Sequence, residues 1–221
     1  MMNTESLRIL EHSAVGKDAW CLRFERPSWS WQAGQLVSLG GENPLDQRDY
    51  SIASGEKDTS LDVLYREIPH GIVTPHLRKK RVGDSIPVQG PYGRFTIRNP
   101  EQPLVFCATG TGIAPFRAYL HSHPHLDFTL LHGIRFPEDL YFREEMGAIN
   151  YLPFSSKEPL QGKTGRLTDH LREMDLPPNG AYYLCGANEM IYEAEEILKG
   201  REVSTDQIYH EPYYYRAYDE S

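Results

Sequence analysis

Apolar and polar positions follow two different rhythms along this chain. Up to about residue 98 the apolar positions come in short runs closed by Gly, Pro, Asn or Asp. "AWCLRFERP" alternates and ends at Pro27; "GQLVSLGG", "RDYSIASG", "SLDVLYREI" and "DSIPVQGPYGRF" follow, with turn residues between them. Short alternating runs at this spacing predict antiparallel strands of a sandwich or barrel, interrupted by one short helix over "TPHLRKKRVG". From about residue 100 the rhythm changes. The apolar runs "PLVFCAT", "LDFTLLHGI", "NYLPFSS", "AYYLCG" and "DQIYHEPYY" now alternate with "APFRAYLHSH", "PEDLYFREEM", "LTDHLREM" and "NEMIYEAEEILKG", which have helical spacing. Five apolar runs alternating with helices predict a doubly wound parallel sheet. The change falls in the polar "IRNPEQP", so two domains are expected, 1–98 and 99–221.

The 221 residues suffice for one large or two small domains, and 39% hydrophobic with 24% charged residues is ordinary for a globular protein. No apolar run is long enough to cross a bilayer. "MMNTESLRILEHS" lacks the basic patch and apolar core of a secretory signal, so the cytoplasm is expected. Three widely spaced cysteines, Cys21, Cys107 and Cys185, argue against a disulfide framework and against a built-in iron–sulfur cluster. "HSHPHLDFTLLH" gathers His121, His123, His125 and His132. The first three do not share a helical face, which favours a solvated helix end and a loop over a metal site, and no metal is expected. A net charge of −8 disfavours general nucleic-acid binding. Against that charge stands one basic cluster, Arg78, Lys79, Lys80 and Arg81. It reads either as a solvated turn or as a docking patch for an acidic partner.

Two stretches carry candidate chemistry. In "VFCATGTGIAPF", Thr109, Gly110, Thr111 and Gly112 lie between a buried-type strand and a helix. Glycine permits a tight turn and close approach of a ligand, and the following helix aims free N–H groups beyond the strand, where a pyrophosphate fits. Pro115 falls in the first helical turn, where its missing N–H costs nothing. In the first half, "RDYSIAS" sets Arg48, Asp49, Tyr50 and Ser51 on one short strand. The arginine suits a phosphate, the tyrosine two residues on can cover an aromatic ring from the same face, and the serine can bond a ring nitrogen. "HGIVTPHL" adds Gly71 and Thr74 at a helix start, a second place for an anion.

Taken in order, "RDYS", "GIVT", "GPYGRF", "GTGIAP", "YLCG" and "HEPY" resemble the ferredoxin–NADP(H) reductase family of flavoproteins over nearly the whole chain. The resemblance implies an FAD-binding antiparallel β-barrel followed by an NAD(P)-binding, Rossmann-like α/β domain. It implies that Arg48 contacts the flavin pyrophosphate, Tyr50 packs on the isoalloxazine, Ser51 lies near flavin N5 and Thr74 meets the pyrophosphate. Gly110, Thr111, Gly112 and Pro115 match the NADP loop, and Cys185 with Gly186 matches the "CG" pair beside the nicotinamide. Glu211 and Tyr213 match a C-terminal acid and an aromatic that complete the hydride site and cover the flavin. Here the chain departs from plant-type members: "YYRAYDES" follows Tyr213, so Tyr214 or Tyr215 is an alternative stacking residue. The chain is also short, and FMN remains an alternative to FAD.

For the nucleotide's 2′-phosphate, Arg135, Ser156, Lys157 and Arg166 follow the second and third strands of the α/β half, and "SSKE" resembles the family's Ser-Arg pair. No acidic residue ends the second strand, so NADP is expected, with NAD as the alternative. The implied activity passes electrons between NADPH and an acidic one-electron carrier, ferredoxin or flavodoxin, with the chain acting as a monomer. Two alternatives stay open: an NADH-dependent reductase component serving an oxygenase, and a non-catalytic flavin-binding redox module.

Overall fold

The computed structural model describes residues 3–43, 45–146, 150–162 and 164–213. Clustering of contacts divides the chain into two units. One holds the described residues up to Thr96 together with Ala114–Pro124; the other holds Ile97–Ile113 and the described residues from His125 onward.

Six antiparallel strands build the first unit: β1 (Asn3–Ala14), β2 (Ala19–Glu25), β3 (Leu36–Gly40), β4 (Gln47–Ser51), β5 (Ser60–Arg66) and β6 (Ser85–Tyr92). Their order is β4-β3-β6-β1-β2-β5, and a bridge from Ile52 to Val63 brings the two edges together into a nearly closed barrel. The interior is apolar, with Leu7, Ile9, Leu22, Phe24, Leu39 and Val63 all buried. The single helix between β5 and β6 is α1 (Thr74–Lys79).

The pattern above begins its strands at Ala19 and misses β1, the longest of them at 12 residues. Its first half pairs with β6 over Asn3–Arg8, and after a register shift at Ile9/Glu11 its second half pairs with β2. A strand that turns a barrel corner shows its two halves to different surroundings. Only Leu7 and Ile9 of β1 are fully buried, so the apolar alternation is too brief to stand out.

The second unit is a five-stranded parallel sheet: β7 (Leu104–Thr109), β8 (Phe128–Ile134), β9 (Asn150–Ser155), β10 (Ala181–Gly186) and β11 (Ile208–Pro212) in the order β11-β10-β7-β8-β9. Both faces are covered, as parallel sheets require. On one face Val105, Cys107, Leu131 and Leu184 meet α4 (Leu167–Glu173) and α5 (Asn188–Gly200) through Leu171, Ile191, Ala194 and Leu198. On the other, Phe106 packs against Phe128 and Tyr183, and Tyr183 stacks on Tyr209 at 4.7 Å. The helix expected over "PEDLYFREEM" divides into a single 3₁₀ turn at Pro137–Asp139 and α3 (Arg143–Met146). Phe142, at φ 56°, takes a left-handed conformation that no helix continues through.

The helix that follows β7, α2 (Ala114–Ser122), belongs to the barrel unit by its contacts. Its buried Arg117 donates to the Ala53 carbonyl at 2.9 Å and to the Asp62 carboxylate at 3.2 Å. Asp62, itself buried, also accepts two bonds of 3.1 Å from Arg23 on β2. Tyr119 donates to the Phe95 carbonyl, and His121 meets Asp58 at 3.0 Å.

Candidate functional site

The parallel sheet reverses direction at β7. From this strand the chain runs outward to β8 and β9, then returns to lay β10 and β11 on the other side. In open α/β sheets, ligands bind beyond the carboxyl ends of the strands at such a reversal, because the loops there diverge and leave a crevice. The ends concerned are Thr109 on β7 and Gly186 on β10.

These two ends are built for close approach. Thr109 runs into a 3₁₀ turn, Gly110–Ile113, and Pro115 lies in the first turn of α2. A Cβ on Gly112 would lie 2.4 Å from the Cys185 carbonyl oxygen, inside any allowed contact, so only glycine lets this turn lie against β10. Gly186, at φ +128°, would put a Cβ 2.3 Å from the Thr109 hydroxyl. That hydroxyl instead accepts a 2.9 Å bond from the Ala187 N–H. Pairing sets Cys185 between Ala108 and Glu211, and Gly186 beside Pro212. Tyr213 donates its N–H to the Gly186 carbonyl at 2.8 Å, and its hydroxyl comes within 3.5 Å of the Thr111 carbonyl. Thr109, Thr111, Gly112, Cys185, Gly186, Glu211 and Tyr213, from three separate stretches of sequence, therefore share one sheet end. Burial holds the Cys185 thiol well above its ordinary pKa, and Glu211 adds to the rise. A neutral, buried thiol packs as a small apolar group and offers no nucleophile. Burial likewise lifts Cys107, to about 12. Tyr214 and Tyr215 lie outside the described residues.

One residue at this end was grouped in the sequence only with possible metal ligands. His132, on β8, is fully buried. Its Nε2 lies 2.9 Å from the Gly110 carbonyl, and its Nδ1 lies 2.9 Å from the Tyr151 hydroxyl. Its partners come from β9 and from the turn after β7, so no local pattern discloses them. Beyond β8 and β9, the Ser156 and Lys157 N–H groups bond the carbonyls of Ile134 and Arg135, which gathers Arg135, Ser156 and Lys157 at one corner. Arg166 points elsewhere, with its guanidinium 3.2 Å from Glu193 on α5.

On the barrel, β4 is an edge of the strand order and pairs with β3 from Leu36↔Ser51 to Gly40↔Gln47. Arg48 and Tyr50 fall on one side of it, both half-buried, while Asp49 is exposed and Ser51 is buried. The Arg48 guanidinium bonds the neighbouring Gln47 carbonyl at 2.8 Å. Asp49 accepts from the Tyr92 hydroxyl. Tyr50 packs on the barrel core, yet its buried hydroxyl has no partner among the described residues, and neither has the Trp29 indole N–H. An orphaned buried hydroxyl costs free energy unless a ligand meets it. A cation and an orphaned hydroxyl two residues apart fit a group that carries both oxygens and an aromatic ring, as FAD does. The Thr74 hydroxyl is already engaged: it accepts from the Ile68 N–H at 2.8 Å and so closes the loop that contains Gly71.

Comparison with known proteins agrees with this division. Residues 6–97 match the model of the oxidoreductase FAD-binding domain, and residues 106–196 match that of the oxidoreductase NAD-binding domain. Ferredoxin–NADP reductase B of Sorangium cellulosum is 31% identical over 212 residues, covering 81% of this chain and 84% of that protein. The toluate 1,2-dioxygenase electron transfer component of Pseudomonas putida is 29% identical over 81% of this chain. The chain spans only 58% of that longer relative. A ferredoxin NADP+ reductase from Neisseria gonorrhoeae, solved with FAD and NADP bound, superposes with a TM-score of 0.85 at 22% identity, over 95% of this chain and 98% of that one, and so shares the fold. No helix among the described residues is long and apolar enough to cross a membrane. With an FAD-binding barrel, an NAD-binding parallel sheet and a relative of this closeness over most of both lengths, the chain belongs to the ferredoxin–NADP reductase family of flavin-dependent oxidoreductases.

Proposed function

We propose that this protein passes electrons between NADPH and an acidic one-electron carrier, ferredoxin or flavodoxin, acting as a cytoplasmic monomer. FAD is held by residues 1–98 and the pyridine nucleotide by 99–221. The observation that carries this reading is the convergence of the Thr109–Gly112 turn with Cys185, Gly186, Glu211 and Tyr213 at the reversal point of the sheet. When bound, FAD supplies the exchange between two-electron and one-electron chemistry. The chain's own residues bind and orient. Arg48 takes the flavin pyrophosphate and Tyr50 its ring, with Asp49, Ser51, Gly71 and Thr74 shaping the surrounding wall. The glycines of the turn let backbone N–H groups approach the nucleotide diphosphate, and Pro115 starts the helix behind it. Cys185 packs beside the nicotinamide, while Glu211 completes the hydride site and Tyr213 covers the flavin.

Arg135, Ser156 and Lys157 support NADPH over NADH, because two cations and a hydroxyl suit a 2′-phosphate. Arg166, engaged with Glu193, contributes less. The test is the visible spectrum of the purified protein, identification of the released flavin, and steady-state kinetics with both nucleotides. A yellow protein releasing FAD, with kcat/KM for NADPH about tenfold or more above that for NADH, supports the reading; each such factor corresponds to roughly 1.4 kcal/mol of differential binding. A colourless protein without NAD(P)H–dye activity overturns it. A second reading, an NADH-dependent reductase component serving an oxygenase, is favoured by the similarity to the toluate dioxygenase component, and a preference for NADH would select it.

A further inference from the structure

We propose that His132 is a positioning residue for the nucleotide-binding turn. Its ring, locked as one tautomer by partners on both nitrogens, fixes the Gly110–Thr111 peptide so that the Thr111 N–H is presented to the nucleotide diphosphate. This rests on the reading of that turn given above.

The tautomer follows from chemistry alone. A carbonyl oxygen can only accept, so the 2.9 Å contact to Gly110 places the ring proton on Nε2. Nδ1 is then the acceptor for the Tyr151 hydroxyl at 2.9 Å. Burial raises the pKa of the Tyr151 phenol, which keeps that hydroxyl a donor. Burial also lowers the imidazole to about 4, although the bond to Gly110 opposes the fall, so the ring is neutral at physiological pH. The rings of Tyr141 and Tyr151 flank it, with centroids at 5.9 and 6.0 Å. Neither the proton nor the ring plane is free to change.

The consequence lies on the other side of the turn. A trans peptide is planar, with its C=O and N–H pointing in opposite directions. A Gly110 carbonyl held by His132 therefore turns the Thr111 N–H away from His132. Gly110 itself takes φ +51°, and nothing lies within 4 Å of where its Cβ would stand, so no packing against a Gly110 side chain helps to hold this peptide. Glycine on the N-terminal side of a peptide lowers the cost of rotating it, so an anchor on its carbonyl narrows the orientations it samples. A turn that must present its N–H groups to an anion needs them pre-oriented, because ordering them on binding is subtracted from affinity.

The test uses the full-length flavin-loaded protein with ADP-ribose as probe, which reports on the diphosphate without turnover. Calorimetry gives Kd, and ¹⁵N spectra give the His132 tautomer and the shift of the Thr111 amide. The wild type should show the Nε2–H tautomer and a Thr111 amide that moves on titration. His132→Leu should weaken ADP-ribose about tenfold, as expected for the loss of one anchoring hydrogen bond and the order it imposes. His132→Gln, which keeps an N–H donor, should recover much of the loss. Tyr151→Phe leaves the ring packing and the Gly110 contact but removes the partner that orients the ring through Nδ1. It should keep the Nε2–H tautomer and still weaken binding, by less than the leucine change, even if the leucine variant does not fold. A wild type that fails to bind ADP-ribose overturns the reading of the turn, and this inference with it. Wild-type binding with unchanged Kd in His132→Leu and Tyr151→Phe, or a wild type with mixed tautomers, overturns the role of His132 alone.

Discussion

At the scale of single residues, the two glycines of the nucleotide turn do different work. Gly112 is required by space, since its Cβ would fall 2.4 Å from the Cys185 carbonyl. Gly110 is required only by conformation, with open space where a Cβ would stand and φ at +51°. Gly112→Ala must push two strands' ends apart and should cost roughly 1–3 kcal/mol, as overpacking does. Gly110→Ala should cost about 1 kcal/mol, the penalty for an L-residue in the left-handed region. Urea unfolding midpoints of the two variants check the order. Equal losses would mean that the turn does not lie against β10 as described. This contrast also marks what a sequence can disclose. The Thr-Gly-Thr-Gly spacing is visible in the chain, because a strand, small residues and a helix follow one another locally. Which glycine touches which partner depends on β10, more than seventy residues away, and only the sheet order supplies it. His132 escapes for the same reason: its partners, Gly110 and Tyr151, lie 22 and 19 residues away.

At the scale of elements, α2 presents the sharpest case. It begins where the turn ends, yet it is anchored by a buried charge network: Arg117 on the helix, Asp62 on β5 and Arg23 on β2. Removing Arg117 takes a buried donor from both the Ala53 carbonyl and the Asp62 carboxylate and leaves the Asp62 charge to Arg23. Arg117→Leu should therefore lower stability by about 3–5 kcal/mol. Arg117→Lys should restore only part of this, because Nη1 serves both Ala53 and Asp62 and the shorter lysine does not bring its nitrogen to the same point. The double variant Arg117→Leu/Asp62→Asn should lose less than the sum of the two single variants, and denaturant unfolding of the set measures the coupling. A leucine variant as stable as wild type would remove the anchoring role. None of this is legible from the helix alone: in "APFRAYLHSH" an arginine among apolar residues looks like a surface position, and its buried partner sits 55 residues away. Elements with one steady environment, such as β10 with its six buried residues, announce themselves. β1, which changes partners midway, does not.

At the scale of the whole molecule, a net charge of −8 and the acidic carrier proposed above are in conflict unless positive charge is concentrated somewhere. The basic stretch at the C-terminal end of α1 is where the sequence concentrates it, and the structure divides its members. Arg78 lies 3.5 Å over the Trp20 ring and pairs with Glu67, and Lys79 pairs with Glu42. Lys80 and Arg81 make no side-chain ion pair among the described residues. Their backbone is nonetheless fixed, since the Lys80 carbonyl accepts from His12 Nδ1 and the Arg81 N–H donates to Asp84. Ile72 and Val82, exposed at 54% and 64%, lie close by in the chain and supply apolar surface. Two available cations on a held backbone beside exposed apolar groups suit a transient electrostatic complex, in which charge speeds encounter more than it tightens binding. Lys80→Glu/Arg81→Glu should therefore slow reduction of an acidic carrier about tenfold at low ionic strength, with the deficit shrinking as salt screens the charges. Reduction of a small neutral dye should not change, since it needs no docking. Arg78→Glu would be a poorer probe, because it also removes the group stacked on Trp20 and could loosen the barrel. If the Lys80/Arg81 variant slows carrier and dye alike, the charges serve the fold or the flavin, and the carrier must dock on another face.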